Sequence, residues 1–209
     1  MRLYVVRHAQ SRANADVRCR DIDCELTDAG RRQAEAVAAD LAAVGLNQVL
    51  ASPYLRTLET AREIARASGA AAAVLPDLHE HHAQAFPENA WPLMPKQVLG
   101  ALYPEFELPD DMPELGWQAP TEQLDAIAGR MARVLAEMQR RSGRSPHAQI
   151  ALVSHATPIQ YLIRAVHGPA GASPPVVDNA SVTIIEVTPE TARVESVNQT
   201  GHLRAPVLV

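Results

Sequence analysis

The chain has 209 residues, enough for one substantial core or at most two small ones. With 47% hydrophobic and 21% charged residues, its composition is ordinary for a globular protein. A formal net charge of −5 argues against a general nucleic-acid binder, and no apolar run approaches the ~18 residues of a membrane span.

The first apolar run, Leu3 to Val6 in RLYVVRHAQS, reads as a buried strand that passes directly into Arg7 and His8. It is too short for a secretory signal and Arg7 ends it, so a cytoplasmic location is expected. Cys19 and Cys24, in the polar loop that follows, are then expected as free thiols. The stretch LTDAGRRQAEAVAADLAAVGL reads as a helix capped by Thr27 and stopped by Gly45, with Ala34, Val37, Ala38 and Leu41 at helical spacing. QVLAS (48–52) is a short strand, and a second helix starts with Pro53 in its first turn. AAVLPDL (72–78) is a third strand.

Residues 80–117 break the pattern, with six prolines and one short helix from Lys96 to Leu102. A long amphipathic helix follows, with Leu124, Ile127, Ala128, Met131, Val134, Leu135 and Met138 on one face. QIALVSH (149–155) is a buried strand, and Ile159, Leu162, Ile163 and Val166 mark the helix after it. SVTIIEV and ARVESV flank TPET, whose Pro189 suits a tight turn. Strands alternating with helices imply an α/β fold: three layers, a mostly parallel sheet with helices on both faces, and a C-terminal antiparallel hairpin. The chain is expected to form one domain over residues 1–209, with an insertion, or cap, at about 80–117.

Ligands of open parallel sheets bind beyond the carboxyl ends of the strands. The first strand delivers Arg7 and His8 there; the second Ser52, with Arg56 a turn later; the third Glu80; and the fourth Ser154 and His155. Three helix N-termini are expected to point their amides the same way. Arginines and helix N-termini together make an anion site. An imidazole among them can act as a nucleophile, with a carboxylic acid protonating the leaving group.

RHAQSRAN, LTDAGRRQA, SPYLRTLETA, LHE, SHATP and NQTGHL, in this order, resemble the histidine phosphatase superfamily of phosphoglycerate-mutase-like phosphatases and mutases, from Arg2 to about Leu203. The resemblance implies that His8 is the nucleophile that becomes phosphorylated and that Glu80 is the proton donor. It implies that Arg7, Arg56 and His155 hold the phosphoryl oxygens and stabilise the transition-state charge. Asn14 would donate to the same phosphate, the backbone N–H of Ala156 would face it, and His202 would support the pocket. Neither a cofactor nor a metal is implied, because arginines carry the charge. The family usually has glycine after each catalytic histidine, where this chain has Ala9 and Ala156. If either position needs a positive φ, the methyl costs about 1 kcal/mol.

Two features bear on partners. His79, His81 and His82 flank Glu80, but neighbouring residues of an extended chain point to opposite faces, so solvated histidines are expected rather than a zinc site. The insertion holds five of the eight aromatic residues, Phe86, Trp91, Tyr103, Phe106 and Trp117, and several carboxylates including Glu88, against Lys96, the chain's only lysine. Such a cap is a poor second anion site, which favours a phosphatase for a small phosphorylated substrate over a phosphoglycerate mutase. Arg12, Arg18 and Arg20 keep the mutase as the alternative, and a catalytically inactive phosphate-binding module is the third reading. No nucleic-acid or membrane partner is expected; a homodimer stays open.

Overall fold

The computed structural model describes residues 1–19, 21–81, 93–115, 121–168 and 175–204. Seven strands form one sheet: β1 (Arg2–Arg7), β2 (Gln48–Ala51), β3 (Ala71–Val74), β4 (Phe106–Glu107), β5 (Gln149–Ser154), β6 (Val182–Val187) and β7 (Ala192–Gln199). Their order is β4-β3-β2-β5-β1-β6-β7. The five strands from β4 to β1 run parallel, while β6 is antiparallel to β1 and β7 antiparallel to β6. This is the three-layer arrangement with a C-terminal hairpin that the sequence predicts.

Side chains alternate across a strand, and β1 shows which face each meets. Tyr4 and Val6 join a core with Ala34, Val37, Leu41, Leu58 and Ile64, from α2 (Asp28–Ala42) and α3 (Leu55–Ser68). Leu3 and Val5 join a second core with Ile127, Met131, Val134, Ile159 and Leu162, from α5 (Leu124–Arg144) and α6 (Ala156–His167). Both faces of the central strands are therefore covered, which is why β1 and β5 read as continuous apolar runs.

Several boundaries differ from expectation. A short helix, α1 (Arg12–Ala15), interrupts the first loop. Thr27 does cap α2, accepting from the Gly30 N–H, but α2 ends at Ala42 and Gly45 lies beyond its cap. α3 begins at Leu55 with Tyr54 as its cap, so Pro53 precedes the helix and Arg56 is its second residue. β3 stops at Val74, and a 3₁₀ turn, Pro76–Leu78, carries the chain on toward Glu80. β4 has no counterpart in the sequence reading, because two residues show no periodicity. The short helix α4 (Lys96–Leu102) stands where predicted. Leu124 is exposed, and the buried stripe of α5 includes Arg130 instead.

Gly30 shows how the first loop is fixed. A Cβ there would stand 2.0 Å from the Gln10 carbonyl oxygen, so only glycine lets α2 approach the chain just after His8. Thr27 Oγ1 donates to Gln10 Oε1 at 2.8 Å, and the Gln10 N–H donates to Gln33 Oε1 at 2.8 Å.

Candidate active site

Parallel register brings the strand ends level. Arg7 pairs with Ser154, and Ala51 with Val153, so His8, His155 and Ser52 leave three neighbouring strands side by side. The His8 N–H donates to the Ser154 carbonyl at 2.9 Å, and the His8 and His155 rings meet edge to face with centroids 5.1 Å apart. Both side chains are buried.

The His8 ring has a defined tautomer. Nδ1 lies 2.7 Å from the Ala9 carbonyl oxygen, an acceptor only, so Nδ1 carries the proton and the lone pair sits on Nε2. Burial, reinforced by the positive charges of Arg56 and Arg7, holds the His8 pKa well below the ordinary 6.5. Both effects favour the neutral, nucleophilic imidazole.

Two guanidinium groups flank it. Arg7 donates from one terminal nitrogen to Val177 O at 2.6 Å, while its buried Nε has no hydrogen-bond partner among the described residues. A buried donor in that state is costly unless an acceptor arrives, which suits an anion. Arg56 donates to Ile22 O at 2.9 Å and lies over the Tyr54 ring, 4.4 Å from its centroid, a cation–π contact that holds the head group in place. His155, the N-cap of α6, has Nε2 2.9 Å from Ser52 Oγ. Tyr54 packs edge-on against the His155 ring at 5.1 Å.

Glu80 reaches the same rim. Its Oε2 is 3.9 Å from His155 Nδ1, and its Oε1 accepts from the His81 N–H at 2.9 Å. Desolvation raises its pKa; the His81 N–H and the charges of Arg56, Arg7 and His81 oppose without prevailing. The pocket therefore holds one imidazole kept neutral and one carboxyl biased toward its acid form, an acid–base pair pushed in useful directions.

Asn14 Oδ1 accepts from the Ser11 N–H at 3.1 Å, from Ser11 Oγ at 3.0 Å and from Asn179 Nδ2 at 3.1 Å, which leaves the amide nitrogen as its donor. Asn179 Nδ2 also donates to the His8 carbonyl at 3.0 Å, tying Asn14 to the nucleophile's backbone. Ala156 opens α6, so its N–H has no helical acceptor. The Ala9 N–H, in contrast, is taken by Thr60 Oγ1 at 3.1 Å. Neither alanine has a positive φ, so their methyl groups carry no strain. His202 Nε2 bonds Ala180 O at 2.9 Å, and the Ala180 N–H in turn reaches the carbonyls of Arg7 and His8.

Two of the three expected helix N-termini each have an amide already taken by a side chain. Thr27 occupies the start of α2, and the first amide of α3, at Leu55, donates to Asp23 Oδ1 at 2.7 Å; α6 keeps its end uncapped by a side chain. His79 is buried rather than solvated as expected, with its Nδ1 facing Glu80 O, and His81 Nε2 faces Glu122 O. Among the described residues no group of three or more His, Cys, Asp or Glu is arranged to hold a metal ion. His82, Glu88, Phe86, Trp91, Trp117 and Arg20 lie outside the described residues. Sequence reasoning brought Ser52 to the rim without its partner His155, and missed Thr60, Asp23 and Asn179, whose partners are set only by the tertiary fold.

Arg7 and His8 at the end of β1, His155 after β5 and Arg56 in the first turn of α3 describe an α/β protein whose rim suits a phosphate group. Residues 3–200 match the model of the histidine phosphatase superfamily (branch 1), and the chain belongs to that superfamily. It is 27% identical over 212 residues to phosphoserine phosphatase 1 of Hydrogenobacter thermophilus, covering 97% of this chain and 94% of the relative. The phosphoglycerate mutase of Bacillus anthracis str. Sterne has a similar fold, with a TM-score of 0.73, 19% identity, and 97% of this chain and 95% of that chain covered. A mycobacterial glucosyl-3-phosphoglycerate phosphatase does too, with a TM-score of 0.66, 24% identity, and coverages of 95% and 99%.

Proposed function

We propose that this phosphatase of the histidine phosphatase superfamily hydrolyses a small-molecule phosphomonoester through a phosphohistidine on His8. In the first step His8 Nε2 forms the P–N bond while the P–O bond to the leaving group breaks. Glu80 gives its proton to that oxygen, and Arg7, Arg56, His155, the Asn14 amide and the Ala156 N–H hold the phosphoryl oxygens. In the second step water attacks phosphorus and the P–N bond breaks; Glu80 takes the water's proton and inorganic phosphate leaves. The observation that carries this reading is the bond from His8 Nδ1 to Ala9 O, 2.7 Å, which commits Nε2 to attack. The arginines supply positive charge, so turnover should survive chelation and dialysis.

Hydrolysis is favoured over mutase chemistry by the fate of the cap's one lysine. Lys96 Nζ donates to Asp110 O at 3.0 Å and lies 3.9 Å from Glu114, so it is engaged within its own segment. In the first loop Arg12 faces Glu25 at 3.7 Å. The phosphoserine phosphatase named above, similar over nearly the full length, points the same way. We read residues 1–209 as one domain with a cap at about 80–117, since Leu99, Tyr103, Phe106 and Met112 share the core of α2 and α3. A cytoplasmic setting fits the free thiols of Cys19 and Cys24, and among the described residues no helix is long and apolar enough to cross a membrane.

The test supplies 3-phosphoglycerate with catalytic bisphosphoglycerate, before and after chelation. Phosphate release faster than 2-phosphoglycerate formation in both is expected. The opposite ratio establishes the mutase, and no turnover of any phosphomonoester, p-nitrophenyl phosphate included, establishes the inactive binding module.

A further inference from the structure

Arg130 is 2% exposed and lies on the apolar stripe of α5, one turn from Ile127 and Val134. A guanidinium at such a position is tolerated only when paired and hydrogen-bonded. Its Nε and one terminal nitrogen grip Glu122 in a two-pronged pair at 2.8 and 2.6 Å. The other terminal nitrogen donates to Asp77 O at 2.6 Å and His79 O at 3.0 Å. Between these two carbonyls, Leu78 O accepts from Ser154 Oγ at 2.7 Å. Next, Glu80 O faces His79 Nδ1 at 2.8 Å, and His81 Nε2 faces Glu122 O at 3.0 Å.

Every carbonyl from Asp77 to Glu80 is therefore held by a side chain, and Arg130 holds two of the four. This backbone lies beyond the end of β3, in the 3₁₀ turn Pro76–Leu78 and the two residues after it, with no strand ladder to fix it. Burial alone would raise the Glu122 carboxyl, but its hydrogen bonds from Arg130 prevail and keep it below the ordinary range. The pair is thus held toward its charged, hydrogen-bonded form. A buried ion pair of this kind is weak evidence for stability, since apolar residues of similar volume often serve as well. Its geometry points instead to what it holds.

We infer that the Arg130–Glu122 pair is the positioning device for Glu80, fixing the 77–81 segment so that the Glu80 carboxyl meets the leaving-group oxygen. The inference rests on the reading of Glu80 as proton donor. Neither residue touches the reacting atoms; both act through Glu80. A small misplacement of a catalytic group can cost up to about 10²-fold in rate, and here the loss should fall on the two proton transfers that Glu80 makes, to the leaving oxygen and from the attacking water.

The experiment follows the first step, enzyme phosphorylation within the first turnover, and compares an alkyl phosphate, which needs a proton on its leaving oxygen, with p-nitrophenyl phosphate, which scarcely does. Arg130→Lys keeps the charge but loses the planar fork that spans Glu122 and two carbonyls. Arg130→Met with Glu122→Leu removes the pair without stranding a charge. Each should slow the alkyl substrate by about 10-fold or more and p-nitrophenyl phosphate by less than about 3-fold. In a Glu80→Gln background, neither should cost anything further on the alkyl substrate, because the group they position is gone. Equal losses on both substrates, or losses that add to that of Glu80→Gln, overturn the inference and leave Arg130 a structural residue. If Glu80→Gln is itself unselective between the substrates, the donor assignment fails first and the role of Arg130 falls with it.

Discussion

Ser52 Oγ lies 2.9 Å from Nε2 of His155, and both side chains are fully buried. One residue follows β2 and the other follows β5, its neighbour in the sheet, so the bond is set by strand register. The Ser52 carbonyl is itself held by Thr57 Oγ1 at 2.8 Å. The hydroxyl thereby fixes the His155 ring, whose other nitrogen is 3.9 Å from Glu80.

Ser52→Ala should therefore lower kcat/KM by about 10-fold through a loosened His155, at a stability cost of about 1 kcal/mol for one buried hydrogen bond. Steady-state kinetics beside a denaturant titration checks both. Unchanged kinetics with the expected stability loss would show that His155 needs no such orientation.

The pH profile follows from two opposite shifts. His8 must be neutral to attack, and burial with Arg56 and Arg7 lowers its pKa well below 6.5, so activity should persist well to the acid side of an ordinary histidine. Glu80 must be protonated to donate, and burial raises its pKa, so the rate on an alkyl phosphate should decline as pH rises through that value. The optimum is thus acidic to near neutral. Glu80→Gln should remove the alkaline limb on that substrate and leave the acid limb in place. An acid limb at or above 6.5 would contradict the account of His8.

Asp23 gives a test on stability. Burial pushes its carboxyl up from 3.8 to about 6, although the Leu55 N–H and Arg56 pull the other way. A folded-state pKa above the unfolded one means that the stabilising contribution is full below about 4 and is lost as pH rises through about 6. Asn at this position can still accept from Leu55 but does not titrate. Asp23→Asn should gain on the wild type by of order 1–3 kcal/mol between about pH 4 and pH 7, from two pK units at about 1.4 kcal/mol each, as an upper bound. Urea titrations at the two pH values read it directly. A difference that does not change with pH would mean that Asp23 titrates normally.

Much of this was legible in the chain because its signals are local. Apolar runs ending in Arg7–His8 and Ser154–His155 mark strands that deliver polar groups to one rim, and Thr27 and the α2 stripe read directly as a capped helix. Glu80 was placed from its order in the chain, although five residues separate it from the end of β3. What escaped depends on partners distant in sequence. Ser52 is 103 residues from His155, and Asn179 is 171 from His8, so no window along the chain joins them. Arg130 left one trace, a charge inside the stripe from Ile127 to Met138, where the spacing asks for an apolar residue. The three helix N-termini were over-read, since Asp23 closes α3 from a loop that sequence patterns do not orient.

The proposed chemistry turns on a covalent bond between phosphorus and His8 Nε2. Enzyme mixed with ³²P-labelled substrate and quenched within the first turnover should carry label that is lost in acid and kept in alkali, as a phosphoramidate does. Peptide mapping should place the label on His8, and His8→Ala, folded as judged by circular dichroism, should carry none and turn over nothing. Label that survives strong acid, or that remains in His8→Ala, would contradict the account.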